Sequence, residues 1–112
     1  MQKETIAQVL QFVEDRNWDQ FHNPKDLAIS ICLEAAELLE IYQWSGEDTQ
    51  CRDKINNVRE ELADVLIYCI QMAYAYGLDM DEIIQEKLKK NAQKYPIEQS
   101  CGSKEKYTQL KK

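Results

Sequence analysis

Glycine and proline are scarce in this chain: three and two residues among 112. All-β folds need frequent Gly- and Pro-rich turns, so this scarcity, beside abundant Ala, Leu, Glu, Gln and Lys, predicts an all-α fold. Four cysteines (Cys32, Cys51, Cys69, Cys101) form no Cys-x-x-Cys pair, which argues against a zinc site or a disulfide framework. Cys32 and Cys69 fall inside apolar helical runs and are expected to be reduced, buried small hydrophobes. No run approaches the roughly 18–20 apolar residues that span a bilayer. Positive charge is also short, with 14 basic against 20 acidic residues and a net charge of −6. That balance excludes non-specific binding to nucleic acid or an anionic membrane. The opening Met1-Gln2-Lys3-Glu4 has no apolar run or small-residue cleavage site, so the expectation is a soluble, cytoplasmic protein. Gly-x-x-x-x-Gly-Lys is absent, and with it a phosphate-cradling P-loop.

What remains is helical periodicity. Ile6, Val9, Leu10 and Val13 predict a first helix over about residues 3–15. A polar and aromatic connector follows, Arg16-Asn17-Trp18-Asp19-Gln20-Phe21-His22. Asn23 as cap and Pro24 at the first helical position start a second helix, read as reaching about Trp44. A third runs over about 51–76, with Gly77 placed to stop it. Asp79 and Glu82 have the spacing of a capping box and open a fourth helix to about Lys94, bounded by Pro96. Short connections favour an antiparallel, four-helix bundle-like domain over residues 1–96, with the second and third helices as its central pair. Residues 97–112 read as an extended polar tail.

The second helix carries Glu34, Glu37 and Glu40; the third carries Glu60, Glu61 and Asp64. Residues three apart share a helix face, so Glu34 with Glu37 and Glu61 with Asp64 form two carboxylate pairs. Packed together, the helices present four acids to one cavity. Acids at this spacing are usually a solvated face, but such faces carry compensating cations. Residues 26–51 and 60–86 contain no Lys or Arg. The acids also sit in apolar sequence, Ile31-Cys32-Leu33-Glu34-Ala35-Ala36-Glu37 and Leu62-Ala63-Asp64-Val65-Leu66. Partly buried, uncompensated acids must take up protons or find a cation. Oxygen-only donors favour Mg²⁺, or Mn²⁺ in its place, over zinc or copper. A di-iron bundle needs Glu-x-x-His repeats, and the one histidine, His22, lies outside both acidic helices. Metal ions would also make an acidic cavity attractive to a polyphosphate.

Taken together, Arg16-x-Trp18-x-Gln20-Phe21-His22-x-Pro24-Lys25-x-Leu27-Ala28, Glu34-x-x-Glu37-Leu38-x-Glu40, Gln43-Trp44, Glu61-Leu62-Ala63-Asp64-Val65 and Asn91-x-x-Lys94-Tyr95-Pro96 resemble the MazG-type nucleoside triphosphate pyrophosphohydrolases. The likeness covers about residues 5–96 and points to the small single-domain branch that includes the dCTP pyrophosphatases. The resemblance implies Mg²⁺ coordination by Glu34, Glu37, Glu61 and Asp64, and hydrolysis of a nucleoside triphosphate to the monophosphate and pyrophosphate in nucleotide-pool sanitation. It implies a homodimer or a homotetramer built as a dimer of dimers, with sites that involve more than one subunit. Glu40 falls at a further acidic position of the motif, where it would orient a water or support the metal shell; Glu37 and Glu61 join it as the catalytic acids.

In dCTP-preferring relatives, aromatics matching Trp18, Trp44 and Tyr68 help enclose the base, in keeping with the way an indole stacks on any nucleobase. Such relatives can carry a base-contacting His in the first helix; this chain has none there. His22 would contact base or phosphate, or cap the helix at Pro24. Lys87, Asn91 and Lys94 share a face of the fourth helix and, with Tyr95, Lys25 and Arg16, are the expected phosphate contacts. Related enzymes acting on dUTP or phosphoribosyl-ATP are alternatives, as is a non-catalytic helical dimerisation module, which Mg²⁺ would neither bind nor stabilise.

Overall fold

A computed structural model describes residues 1–109. All its regular elements are helical: α1 (Lys3–Asp15), α2 (Pro24–Glu40), α3 (Ile55–Ala75), α4 (Met80–Lys94) and α5 (Ile97–Ser100), with 3₁₀ turns at Asp19–Phe21, Arg52–Lys54 and Tyr107–Gln109. The chain divides into two compact units, Met1–Leu78 and Asp79–Lys112.

In the first unit, α2 packs along α3 and α1 packs on α3. The pairing follows from apolar positions at helical spacing. Val13 of α1, Leu27 of α2, and Ile70 and Ala73 of α3 are buried together with Cys51. Leu27 is almost wholly enclosed, at 1% exposure, so the start of α2 is the best-anchored part of the unit. That end is also capped: the Asn23 side chain accepts from the Asp26 N–H at 2.9 Å, satisfying one of the free donors of the first turn.

Two helix ends are closed the same way. Asn17, at φ 53°, follows α1; its N–H reaches the Glu14 carbonyl at 2.9 Å, and the Trp18 N–H reaches Val13 at 3.1 Å. Gly77, at φ 64°, repeats the pattern after α3, with bonds from Gly77 to Tyr74 and from Leu78 to Ala73. Both are Schellman stops, in which a left-handed residue turns the chain back onto the last carbonyls.

Three expectations are corrected. The second helix stops at Glu40 rather than Trp44, because Tyr42 and Gln43 bond three residues back, to Leu39 and Glu40, and the chain tightens into turns. The third starts at Ile55 rather than 51: Cys51 takes a left-handed φ of 45°, with Asp48 accepting from the Gln50 and Cys51 N–H groups at 3.1 Å. Cys51, in this loop, is the buried cysteine, its thiol 3.8 Å from the Ile41 carbonyl. Cys32 on α2 is exposed and Cys69 on α3 is half-buried.

The second unit begins at Asp79, whose side chain accepts from the Glu82 N–H at 3.0 Å. The segment expected to be extended contains α5, which Pro96 precedes as a rigid first cap. Residues 110–112 of that expected tail lie outside the described residues.

Candidate functional site

The alignment of α2 with α3 brings the two acidic pairs together. Glu34, Glu61 and Asp64 each offer a carboxylate oxygen, and these oxygens lie within 4.8 Å of one another. Glu37 lies close enough to Glu34 and to Glu61 to share a proton with either. One oxygen of Glu34 and one of Glu61 are buried without a partner. Burial pushes the Glu34 carboxyl up from 4.5 to about 7, helped by the hydrogen bond with Glu37 and the charges of Glu37, Asp64 and Glu61. Glu61 is raised for the same reasons, burial first and then Glu37 and Asp64.

Four acids in such proximity are stable only when protonated or matched by positive charge. The two unpartnered, buried oxygens fit a hard divalent cation, which takes oxygen donors where no N–H or O–H reaches. Glu40 stands beside this cluster in an open cleft with Glu37, Lys54, Asn57 and Glu61. Lys54 is a cation that the sequence reading passed over. It lies just outside the two spans free of basic residues and reaches the cleft because it sits at the N-cap of α3.

A separate cavity of about 380 Å³ has Asp64 in its wall. Its walls include Phe12, Trp18, His22, Ile67 and Tyr68, and Gln71 also lines it. The rings meet edge to face: Phe12 and Trp18 have centroids 5.9 Å apart, Trp18 and His22 6.4 Å, and His22 and Tyr68 6.2 Å. The Asn17 stop puts Trp18 there, by bending the chain back over the end of α1. Asp64 thus belongs both to the acidic cluster and to the wall of an aromatic cavity.

Other predicted residues are placed differently. Trp44, in the turns after α2, is 89% exposed and lines no part of that cavity. Lys25 is exposed in the first turn of α2, also outside the lining. Arg16 is committed locally: its guanidinium lies 3.6 Å from the Phe12 ring centroid and donates to the Phe12 carbonyl at 3.0 Å. Lys87, Asn91 and Lys94 lie on α4 and Tyr95 caps it, all in the second unit. Gln71 and Phe12 were not singled out from the sequence. The available signal for Gln71 was a lone amide in the apolar run Leu66-Ile67-Tyr68-Cys69-Ile70-Gln71-Met72-Ala73.

Paired carboxylates on two packed helices, beside an aromatic cavity, define an all-α protein with a candidate divalent-cation site. Comparison with known proteins gives the family. The MazG-like family profile matches residues 29–110. Mouse dCTP pyrophosphatase 1 is 35% identical over 105 residues, and the human protein of that name is 32% identical over 105. The match covers 89% of this chain and 62% of each relative's length. A pyrophosphatase from Archaeoglobus fulgidus, known from its crystal structure, is 39% identical, with a TM-score of 0.78 over 84% of this chain and 91% of that one. This chain belongs to the MazG-like family.

Proposed function

We propose that this protein hydrolyses a nucleoside or deoxynucleoside triphosphate, of which dCTP is a candidate, to the monophosphate and pyrophosphate. Glu34, Glu37, Glu61 and Asp64 are the proposed ligands of Mg²⁺, with Mn²⁺ as an equivalent occupant. The observation that carries this reading is the double membership of Asp64, in the acidic cluster and in the wall of an aromatic cavity. A phosphate chain at the acids and a base in the cavity would then belong to one molecule. The names of the mouse, human and archaeal relatives support the same reaction.

A divalent ion held by the acids supplies a Lewis acid for the phosphate oxygens and offsets the charge of the polyphosphate. The chain's own residues do the rest. Glu40, which lines the open cleft with Glu37, would accept a proton from a water as the water oxygen attacks the α-phosphorus. The α–β bridging oxygen then leaves with pyrophosphate. Lys54, in the same cleft, is suited to hold a phosphate oxygen.

Trp18 and Tyr68 would stack on or flank the base, with His22 at its edge. Trp44, so widely exposed, suits a stacking cover supplied within the chain or from a second copy. Lys25 remains a proposed phosphate contact, as do Lys87, Asn91, Lys94 and Tyr95, the latter four through the helical spacing and the Lys-Tyr-Pro motif. A homodimer or homotetramer is supported by apolar side chains left open on α2 and α3. Four free cysteines suit a reducing cytoplasm.

Hydrolysis in ¹⁸O-labelled water tests the bond broken. Label in the monophosphate, with none in the pyrophosphate, is expected; label in pyrophosphate would overturn attack at the α-phosphorus.

A further inference from the structure

Gln71 is the one buried polar residue among the described residues, at 6% exposure. It sits on α3 seven residues beyond Asp64, two turns along the same face, and lines the aromatic cavity. Its Oε1 is buried with no hydrogen-bond partner. A carboxamide left in that state destabilises the fold, since an unsatisfied buried acceptor loses its water without replacement. Val9, Phe12, Val13 and Ile67 on the lining have no donor to offer it, and none of the polar side chains there, Thr5, Gln8, Trp18, His22 and Tyr68, donates to it. His22 Nδ1, in the same cavity, is likewise buried and unpartnered.

We propose that Gln71 determines base specificity: its Oε1 accepts a hydrogen bond from an N–H on the edge of the nucleobase that enters the cavity. The inference rests on the triphosphate reading above. Stacking on Trp18 and Tyr68 holds any flat ring, so it cannot distinguish bases. A buried acceptor can, because a base that presents no N–H to it leaves the acceptor unpaired, and sites built on buried hydrogen bonds reject such ligands strongly. Gln71 therefore supplies the discrimination that the aromatic walls lack. Its distance along α3 from Asp64 separates base reading from the acids: Gln71 affects which nucleotide binds and leaves bond breaking to the other end of the site.

The experiment compares wild type with Gln71→Leu, which keeps the volume and removes the acceptor. Pyrophosphate release from eight ribo- and deoxyribonucleoside triphosphates gives kcat and KM for each. Dissociation constants for the corresponding α,β-imido triphosphates are measured in parallel. Gln71→Leu is expected to lose about tenfold or more in kcat/KM on the best substrate, carried by KM, and to change the poorest less than twofold. The wild-type ranking then collapses. An unchanged ranking, or a uniform loss across all eight, would overturn the proposal, since a merely structural role affects every nucleotide alike.

If Gln71→Leu does not fold, wild type is tested on its best substrate and on the same nucleotide with every N–H of that edge group methylated, so that no donor remains. A loss of about tenfold or more supports the proposal; equal turnover overturns it. Base-selective binding of the imido nucleotides that depends on Gln71, without any hydrolysis, would remove the proposed reaction and leave the reading of Gln71 standing. Hydrolysis whose base ranking ignores Gln71 would do the reverse.

Discussion

Glu34 links the electrostatics of the site to the stability of the protein. Its carboxyl is raised to about 7 in the folded, cation-free chain, from 4.5. A carboxyl whose folded value lies above its unfolded one contributes stability below about pH 4.5 and loses it as pH climbs through about 7. Melting in EDTA should therefore show wild type losing stability relative to Glu34→Gln between pH 5 and pH 8. A difference that does not vary with pH would contradict the assigned cause. Mg²⁺ should stabilise wild type more at pH 8 than at pH 5, because the ion displaces protons from its ligands. The acids were legible in the sequence as two pairs in spans without basic residues. Gln71 and Lys54 were not, since burial of an amide and entry into a cleft depend on how α3 is rotated against its neighbours. Trp18 was legible as an aromatic. That it faces Phe12 and His22 follows from the turn at Asn17, which periodicity does not report.

Helix boundaries were read well where a cap or stop is spelled by side chains. Asn23-Pro24, Gly77 and Asp79 all mark ends that the structure keeps. The reading failed at residues 41–44, where Ile41, Tyr42 and Trp44 continue the apolar pattern but backbone bonding tightens to three-residue spacing, and at 51–54, where Cys51 turns left-handed ahead of a 3₁₀ turn. No amphipathic pattern encodes that change. Asn23→Ala, which removes the bond to Asp26 at 2.9 Å, should cost about 1 kcal/mol by urea denaturation. Asn17→Gly should hold or raise stability, because glycine adopts the left-handed conformation without strain. Asn17→Val should lower it and also reduce Trp18 fluorescence changes on nucleotide addition, as the indole loses its place over the cavity. Unchanged stability in Asn17→Val would argue against the Schellman stop as the device that positions Trp18.

For the whole molecule, the described residues bury few large side chains, while Ile29 and Leu33 on α2 and Ile55, Leu62 and Leu66 on α3 stay between 44% and 61% exposed. The α3 residues recur at seven and four, one stripe of a helix. Exposed stripes of this kind mark protein contacts. Leu33→Glu with Leu66→Glu should shift the sedimentation coefficient to that of a monomer while helicity by circular dichroism is retained; a wild type that sediments as a monomer would contradict self-association. All-α class was evident from composition, whereas association was implied only by family resemblance, because a sequence does not say which apolar faces its own chain covers. The account as a whole stands on metal-dependent cleavage at the four acids. Its most direct test is pyrophosphate release from the triphosphate panel by wild type and Asp64→Asn, with Mg²⁺ and with EDTA. Release with a matching monophosphate, abolished by EDTA and reduced about a hundredfold or more in the folded variant, is the predicted result. Release that persists in EDTA, or full activity in Asp64→Asn, would contradict it.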